Sequence, residues 1–321
     1  MPRENESKDV TVLAACPACD GAALKRLPVP GHWIAPEFFS DLQGKIGLMK
    51  CRSCRLVFVN PRPSDERLAA FYSGDTYTYH ESGGSSSAGA KADYLLAQIA
   101  RSLPADAPRR LLDYGAGGGG FLSRARELGW MVRGFEPAGK GRESCQAAGL
   151  DVTDRLADLS TGEFGLVTLH HVFEHLSAPT EVLQGLRRLL APGGRLFIEV
   201  PNCRSLRAQL SHPVLSRSFR FDERYRAYPI HLFYYSEHTL RAALEKAGWA
   251  VERTFTVGMG LDQLVVRKSP QTPAPVRSGG SQTARRSPRR RIRHSLRDAF
   301  LNLKLGEGLA VIARPTDAKA A

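Results

Sequence analysis

Three sets of residues in this 321-residue sequence have the types and spacing for chemistry. Cys16-Pro-Ala-Cys19 and Cys51-Arg-Ser-Cys54 form two CxxC pairs. Four thiolates so spaced suit a closed tetrahedral Zn²⁺ site, and in a reducing compartment paired CxxC motifs favour metal over disulfide. The second set is Asp113-Tyr-Gly115-Ala-Gly117-Gly-Gly119-Gly120. Glycines there let the backbone turn tightly, and a helix N-terminus after them offers free N–H groups to a ligand. Asp113 is placed to order the loop and to accept a hydrogen bond from a ligand amine. Glu136, 16 residues after Gly120, is placed to take two ribose hydroxyls. The third set is His170, His171 and His175 of HHVFEH, with His231 heading HLFYYSEHTL. A histidine of near-neutral pKa serves as a general base.

These residues need a scaffold, and the pattern between them supplies one. Leu111–Tyr114 reads as a buried strand, Phe121–Leu128 as a helix stopped by Gly129, and Trp130–Glu136 as a second strand. A helix over Ala138–Ala148, a short strand over Leu150–Thr153 and a fourth strand over Leu166–Val172 follow. The next helix opens at Ser177 and Pro179 and closes at Pro192-Gly193-Gly194, before a fifth strand over Arg195–Val200. Ser236 caps a helix to Ala247, and Trp249–Val257 is a sixth strand. For the seventh, Gly306-Glu307-Gly308 with Leu309–Ala313 is preferred over Leu264–Arg267. Such alternation predicts an α/β fold, a doubly wound, seven-stranded, mostly parallel Rossmann-like sheet. It sets His170 and His171 at the C-terminal end of the fourth strand, the edge where open α/β sheets bind ligands. In an extended strand they would point to opposite faces, and His171, nearer the end, is favoured as the base.

The glycine loop also satisfies GxGxxG (Gly115, Gly117, Gly120), so alone it leaves a dinucleotide site open. LLDYGAGGGGFL, GFEP, LVTLHHVFEHLSAP and LLAPGGRLFIEVPN together resemble successive motifs of class I S-adenosylmethionine-dependent methyltransferases, over residues 110–202. The resemblance implies that Asp113, Gly115, Gly117 and Gly119 serve the methionine end of S-adenosylmethionine. It implies Glu136 for the ribose, and Asp154, Arg155 and Leu156 for adenine. Residues 51–79 resemble the junction of a zinc ribbon to such a domain in a subgroup that includes sugar and glycan methyltransferases. That implies structural Zn²⁺ on Cys16, Cys19, Cys51 and Cys54, and a small-molecule acceptor such as a nucleotide- or lipid-linked sugar. Catalysis would fall to His171, His170 or His231.

The organisation expected is a zinc-ribbon module at 11–62 and a connector at 63–90 with a flexible Gly/Ser joint. A methyltransferase domain at 91–268, a disordered basic segment at 269–295 and a C-terminal helix and strand at 296–316 follow. Net charge is +13, but Arg267–Arg297 holds ten Lys/Arg and no acid, so the remainder is near neutral. That run keeps an RNA methyltransferase as an alternative, since ribosomal RNA guanine methyltransferases also join a zinc module to this fold. An NAD(P)-dependent oxidoreductase or an inactive binding module is the other alternative. The first ten residues lack an apolar core and no run reaches 18 apolar residues, so no signal peptide or membrane insertion is expected, and a cytoplasmic address is. Cys145 and Cys203 read as buried small hydrophobes.

Overall fold

Each short apolar run of the sequence becomes one strand of a sheet that is covered on both faces. The computed structural model describes residues 5–6, 8–29, 36–73, 86–206, 208, 227–258 and 304–316. The N-terminal part carries β1 (Asn5–Glu6), β2 (Val10–Val12), β3 (Leu24–Leu27), β4 (Leu48–Cys51), β5 (Val57–Val59), β6 (Arg62–Pro63) and α1 (Asp65–Ser73). After α2 (Ser86–Ala100) come β7 (Arg110–Tyr114), α3 (Gly120–Glu127), β8 (Met131–Phe135), α4 (Gly139–Ala147), β9 (Val152–Thr153) and β10 (Phe164–His170). Then follow α5 (Pro179–Leu189), β11 (Leu190–Pro201), β12 (Phe233–Tyr234), α6 (Glu237–Lys246), β13 (Trp249–Val257) and β14 (Gly308–Pro315).

The main sheet has seven strands in the order β13-β14-β11-β10-β7-β8-β9. β9, β8, β7, β10 and β11 run parallel, and β14 lies antiparallel between β11 and β13. This is the doubly wound sheet expected from the alternation of elements, with Gly308–Pro315 as the reversed strand. Leu111, Leu112, Leu166, Val167, Leu169, Leu196, Phe197 and Ile312 are all buried, which is why these strands read as continuous apolar runs. The helices bury one stripe each, for example Leu183, Leu186 and Leu189 of α5. Strand order reverses beside β7: its neighbours are β8, reached through α3, and β10, which crosses to the other side. The C-terminal ends of β7, β8 and β10 therefore diverge around one crevice.

A four-stranded sheet, β12-β5-β4-β3, joins the cysteine-bearing module to the body. Phe233 and Tyr234 pair antiparallel with Phe58 and Val57, so a segment from late in the chain completes the N-terminal sheet. Five local readings need correction. α2 begins at Ser86, so residues 86–90 of the expected Gly/Ser joint are helical, and the helix ends at Ala100 before Leu103. Ser177 does not cap α5: the N-cap is Ala178 without a side-chain bond, and Pro179 at the first turn, with its fixed φ, starts the helix instead. α5 ends at Leu189 because Leu190 is already extended, and Pro192-Gly193-Gly194 lies inside β11. The third strand is only Val152–Thr153. Cys145 is buried as expected, whereas Cys203 is half-buried. The Ser236 cap is a full capping box with Thr239. The basic stretch 269–295, Leu264–Arg267 and most of the expected helix after 296 lie outside the described residues.

Candidate active site

The glycine loop leaves β7 at its C-terminal end and is tied to the neighbouring strand. The Gly115 N–H donates to the Phe135 carbonyl at 2.7 Å, and the Ala116 N–H to the same oxygen at 3.1 Å. Gly115 has φ +81°, and a Cβ there would lie 2.5 Å from Val172 Cγ2, so no other residue fits. Gly117 has φ +54° but faces open space, which leaves a hollow over the loop. Glu136 holds that hollow open: its Oε2 accepts from the Gly117 N–H at 2.7 Å and its Oε1 from the Ala138 N–H at 2.8 Å. Burial pushes its carboxyl pKa up, with the two N–H donors and Arg142 opposing.

Loop ordering, expected of Asp113, thus belongs to Glu136. Asp113 is buried and accepts from the Thr168 hydroxyl at 2.7 Å. Desolvation raises its pKa to about 6, although His170 and the Thr168 bond pull it down. A carboxyl so poorly solvated beside an open hollow is complemented by a cation such as the aminium and sulfonium of S-adenosylmethionine, and the residues present fit that group. Asp154, Arg155 and Leu156 follow the end of β9, where Asp154 meets Arg142 at 3.2 Å and Leu156 is exposed.

Across the crevice, the end of β10 carries a second group of side chains. His171 has φ +53°, so the strand has already turned left-handed there and the two histidines do not face opposite ways. Both meet Glu199 of β11: His170 Nδ1 lies 3.4 Å from Oε2 and His171 Nε2 lies 3.3 Å from Oε1. Lys91 of α2 closes the group, its Nζ 2.7 Å from Glu199 Oε1. Burial raises the Glu199 carboxyl pKa, but Lys91 and the two histidines more than offset it and leave it well below the usual range.

His171 Nδ1 lies 3.6 Å from Glu174, so carboxylates face both of its ring nitrogens. Burial lowers the His171 pKa, but Glu199 and Glu174 overcome it and raise it to about 9. His170 is arranged differently. Its ring sits 4.0 Å from that of Phe121, the second residue of α3, and its buried Nε2 has no hydrogen-bond partner among the described residues. Both histidines remain candidate bases, His171 held between two carboxylates and His170 with a buried Nε2.

His175 and His231 gather with Glu174 just beyond. His175 lies in the one-turn helix Phe173–His175, and His231 in the segment that runs into β12. Their rings are 4.7 Å apart. Phe233 and Tyr235 are buried core residues, Tyr235 stacking on Phe173 at 5.2 Å. Sequence reasoning missed Glu174 and Glu199. A signal existed for Glu199, a lone carboxylate in the apolar strand Leu196–Val200, and for Glu174, flanked by histidines within HHVFEH.

The four predicted zinc ligands converge. Cys16 Sγ lies 3.5 Å from Cys54 Sγ, and Cys19 Sγ lies 3.6 Å from Cys51 Sγ. All four sulfurs fall within 4.8 Å of one another. Thiolates about 2.3 Å from a tetrahedral Zn²⁺ stand about 3.8 Å apart, so the donor set fits a metal ion.

Comparison with known proteins agrees with this geometry. Residues 89–254 match the methyltransferase domain family (Methyltransf_23). The chain belongs to this methyltransferase domain family, whose members share the class I architecture seen in the seven-stranded sheet. It is similar to the ubiquinone biosynthesis O-methyltransferase of Methylococcus capsulatus, with 35% identity over 32% of this chain and 48% of the relative. The corresponding protein of Nitrosococcus oceani is 31% identical over 30% of this chain and 45% of its own length. The chain thus spans about half the length of the curated relatives it matches. Among solved structures, an S-adenosylmethionine-dependent methyltransferase from Archaeoglobus fulgidus aligns with TM-score 0.45 and 20% identity, over 70% of this chain and 93% of its own. No described helix is long and apolar enough to cross a membrane.

Proposed function

We propose that this chain is an S-adenosylmethionine-dependent methyltransferase that methylates a hydroxyl of a small molecule. One juxtaposition carries the reading: a cofactor loop keyed by Glu136 lies on the same sheet edge as His170, which is backed by Glu199 and has an unpartnered Nε2. S-adenosylmethionine supplies a sulfonium methyl for in-line displacement, a reaction in which alignment provides much of the rate. Glu136 holds the ribose, Asp113 and the loop glycines Gly115, Gly117 and Gly119 the methionine end, and residues 154–156 border the adenine. His170 Nε2 takes the proton of the acceptor hydroxyl as the C–O bond forms and the C–S bond breaks. Glu199, at His170 Nδ1, steadies the imidazolium that results.

Cys16, Cys19, Cys51 and Cys54 hold a structural Zn²⁺ in a module that would bury too little apolar surface to fold alone. Reaction at oxygen is supported by the relatives named ubiquinone biosynthesis O-methyltransferase. The ribbon resemblance supports instead a sugar or glycan-pathway hydroxyl, and both classes present a neutral hydroxyl to one base. The family match favours methyl transfer over the NAD(P) alternative. The RNA reading rests on the basic stretch alone.

Calorimetry of the full chain against S-adenosylmethionine, S-adenosylhomocysteine and NAD(P), followed by transfer of a labelled methyl to polyhydroxylated phenols and to nucleotide sugars, tests this reading. Binding of NAD(P) with no response to S-adenosylmethionine would overturn it. Labelling of one acceptor class over the other fixes the substrate.

A further inference from the structure

Glu174 is the most anomalous side chain in the described structure. It is 1% exposed, yet neither carboxylate oxygen has a hydrogen-bond partner among the described residues. Buried carboxylates are normally bonded, because desolvating one without compensation is costly. What surrounds Oε1 is a ring of imidazole nitrogens at distances too long for hydrogen bonds: His175 Nε2 at 3.8 Å and His231 Nε2 at 3.9 Å. Contact is missing by roughly the space that an ion would fill.

The donor atoms are also correctly prepared. His175 Nδ1 lies 3.1 Å from the Ile230 carbonyl oxygen. A carbonyl only accepts, so Nδ1 carries the proton and Nε2 turns a lone pair toward Glu174. Metal-binding histidines are commonly fixed in this way, by donating the other ring N–H to a carbonyl. The Tyr72 hydroxyl of α1 lies 3.0 Å from the same Nδ1 and further pins the ring. One donor atom each from Glu174, His175 and His231 falls within 4.8 Å of the others.

We propose that Glu174, His175 and His231 form a second metal site, for a divalent transition cation of the zinc type, separate from the four cysteines. Two imidazoles and one carboxylate suit Zn²⁺, Co²⁺ or Fe²⁺, whereas Mg²⁺ and Ca²⁺ prefer oxygen donors throughout. Ligands about 2.0–2.1 Å from a tetrahedral ion stand about 3.4 Å apart, so the two Glu174–His distances need to close by only about 0.5 Å. His171, with Nδ1 3.6 Å from Glu174 Oε1, stands beside a fourth coordination position.

The site clamps two parts of the chain. Glu174 and His175 follow the end of β10, and His231 enters β12, the strand that completes the cysteine-bearing sheet. Leu232 already bridges these parts, its N–H donating to the Glu174 carbonyl at 2.9 Å and its carbonyl accepting from Val59 at 2.8 Å. A cation there would lock the His-rich wall of the crevice to the N-terminal module. The rival arrangement is a proton shared between an imidazolium and Glu174, with no metal.

The experiment uses the full chain, stripped of weakly held metal and titrated with Co²⁺. Expected are two binding events: one with the intense thiolate-to-cobalt charge-transfer bands of a cysteine site, the other with only ligand-field bands. His231→Ala and Glu174→Gln should each abolish the second event and lower the metal content by one ion per chain, while S-adenosylhomocysteine binding by calorimetry persists. His175→Ala is the second route if either variant fails to fold. A wild-type titration without the non-thiolate event, or unchanged metal content in folded His231 and His175 variants, would overturn the proposal in favour of the shared proton.

Discussion

The two walls of the crevice are built in opposite ways. On the cofactor wall every participant comes from one βαβ stretch: Asp113 lies near the end of β7, the glycines follow Tyr114, and Glu136 directly follows β8 and accepts from the Gly117 N–H at 2.7 Å. On the acceptor wall Tyr72, Lys91, the pair His170 and Glu174, Glu199 and His231 come from five separate segments that meet only in the folded chain. The cofactor wall uses backbone geometry, the same for any chain that makes this turn. The acceptor wall uses side-chain ion pairs whose partners lie up to 108 residues apart, as between Lys91 and Glu199. A shared donor can be served by a local motif, whereas an acceptor particular to one enzyme requires an assembly made by the whole fold.

Variants that strike one wall and spare the other test this contrast. The largest effect is expected from His170→Ala, which should lower turnover by roughly 10²–10⁴-fold as the loss of a general base does. Calorimetric affinity for S-adenosylhomocysteine should stay within about twofold, since no hydrogen bond to the cofactor loop involves this ring. Equal losses in both measurements would mean that the walls are not separable.

Asp113→Asn comes next, and its sign differs between free and bound states. The folded pKa of Asp113, about 6, lies above its ordinary value of 3.8, so the folded state favours the protonated form. Ionisation then costs stability that begins to be lost as pH rises through about 4 and is fully lost above about 6. The Asn variant of the cofactor-free chain should therefore gain up to about 3 kcal/mol at pH 7–8 and nothing below pH 4, read by chemical denaturation. The same variant should bind S-adenosylmethionine more weakly, because the charge that complements the cation is gone.

Glu136→Ala removes the acceptor of two backbone N–H groups and should weaken S-adenosylmethionine binding by roughly 10–100-fold, the worth of one or two charged hydrogen bonds. Turnover at saturating cofactor should fall far less than in His170→Ala. Smallest is Ser236→Ala, which deletes the capping box of α6 away from both walls. A loss of about 1 kcal/mol in stability with unchanged affinity and turnover marks the baseline for purely structural damage.

How much was readable from sequence follows the same division. Asp113, Glu136 and the glycines could be placed because loop, strand end and helix start are contiguous, and the Ser236 cap and the strand Trp249–Val257 because capping and periodicity are local. The helix at Ser86 was missed because Gly/Ser composition conceals a helix that packing stabilises. How His170 and His171 turn relative to each other was not legible, because it depends on one left-handed residue at a strand end, with φ +53° at His171.

By itself the sequence determined the parallel sheet, the position of the cofactor loop at its edge and the convergence of four cysteines. Apolar periodicity, glycine spacing and CxxC pairs act over a few residues and carry their own geometry. Only the tertiary structure decided that His170 and His171 both meet Glu199, that Glu136 rather than Asp113 holds the loop, and that Glu174 lies buried among imidazoles with no hydrogen bond to its carboxylate among the described residues. Those outcomes depend on where distant strands end relative to one another, which is set by the packing of the whole sheet and not by any neighbour in the chain.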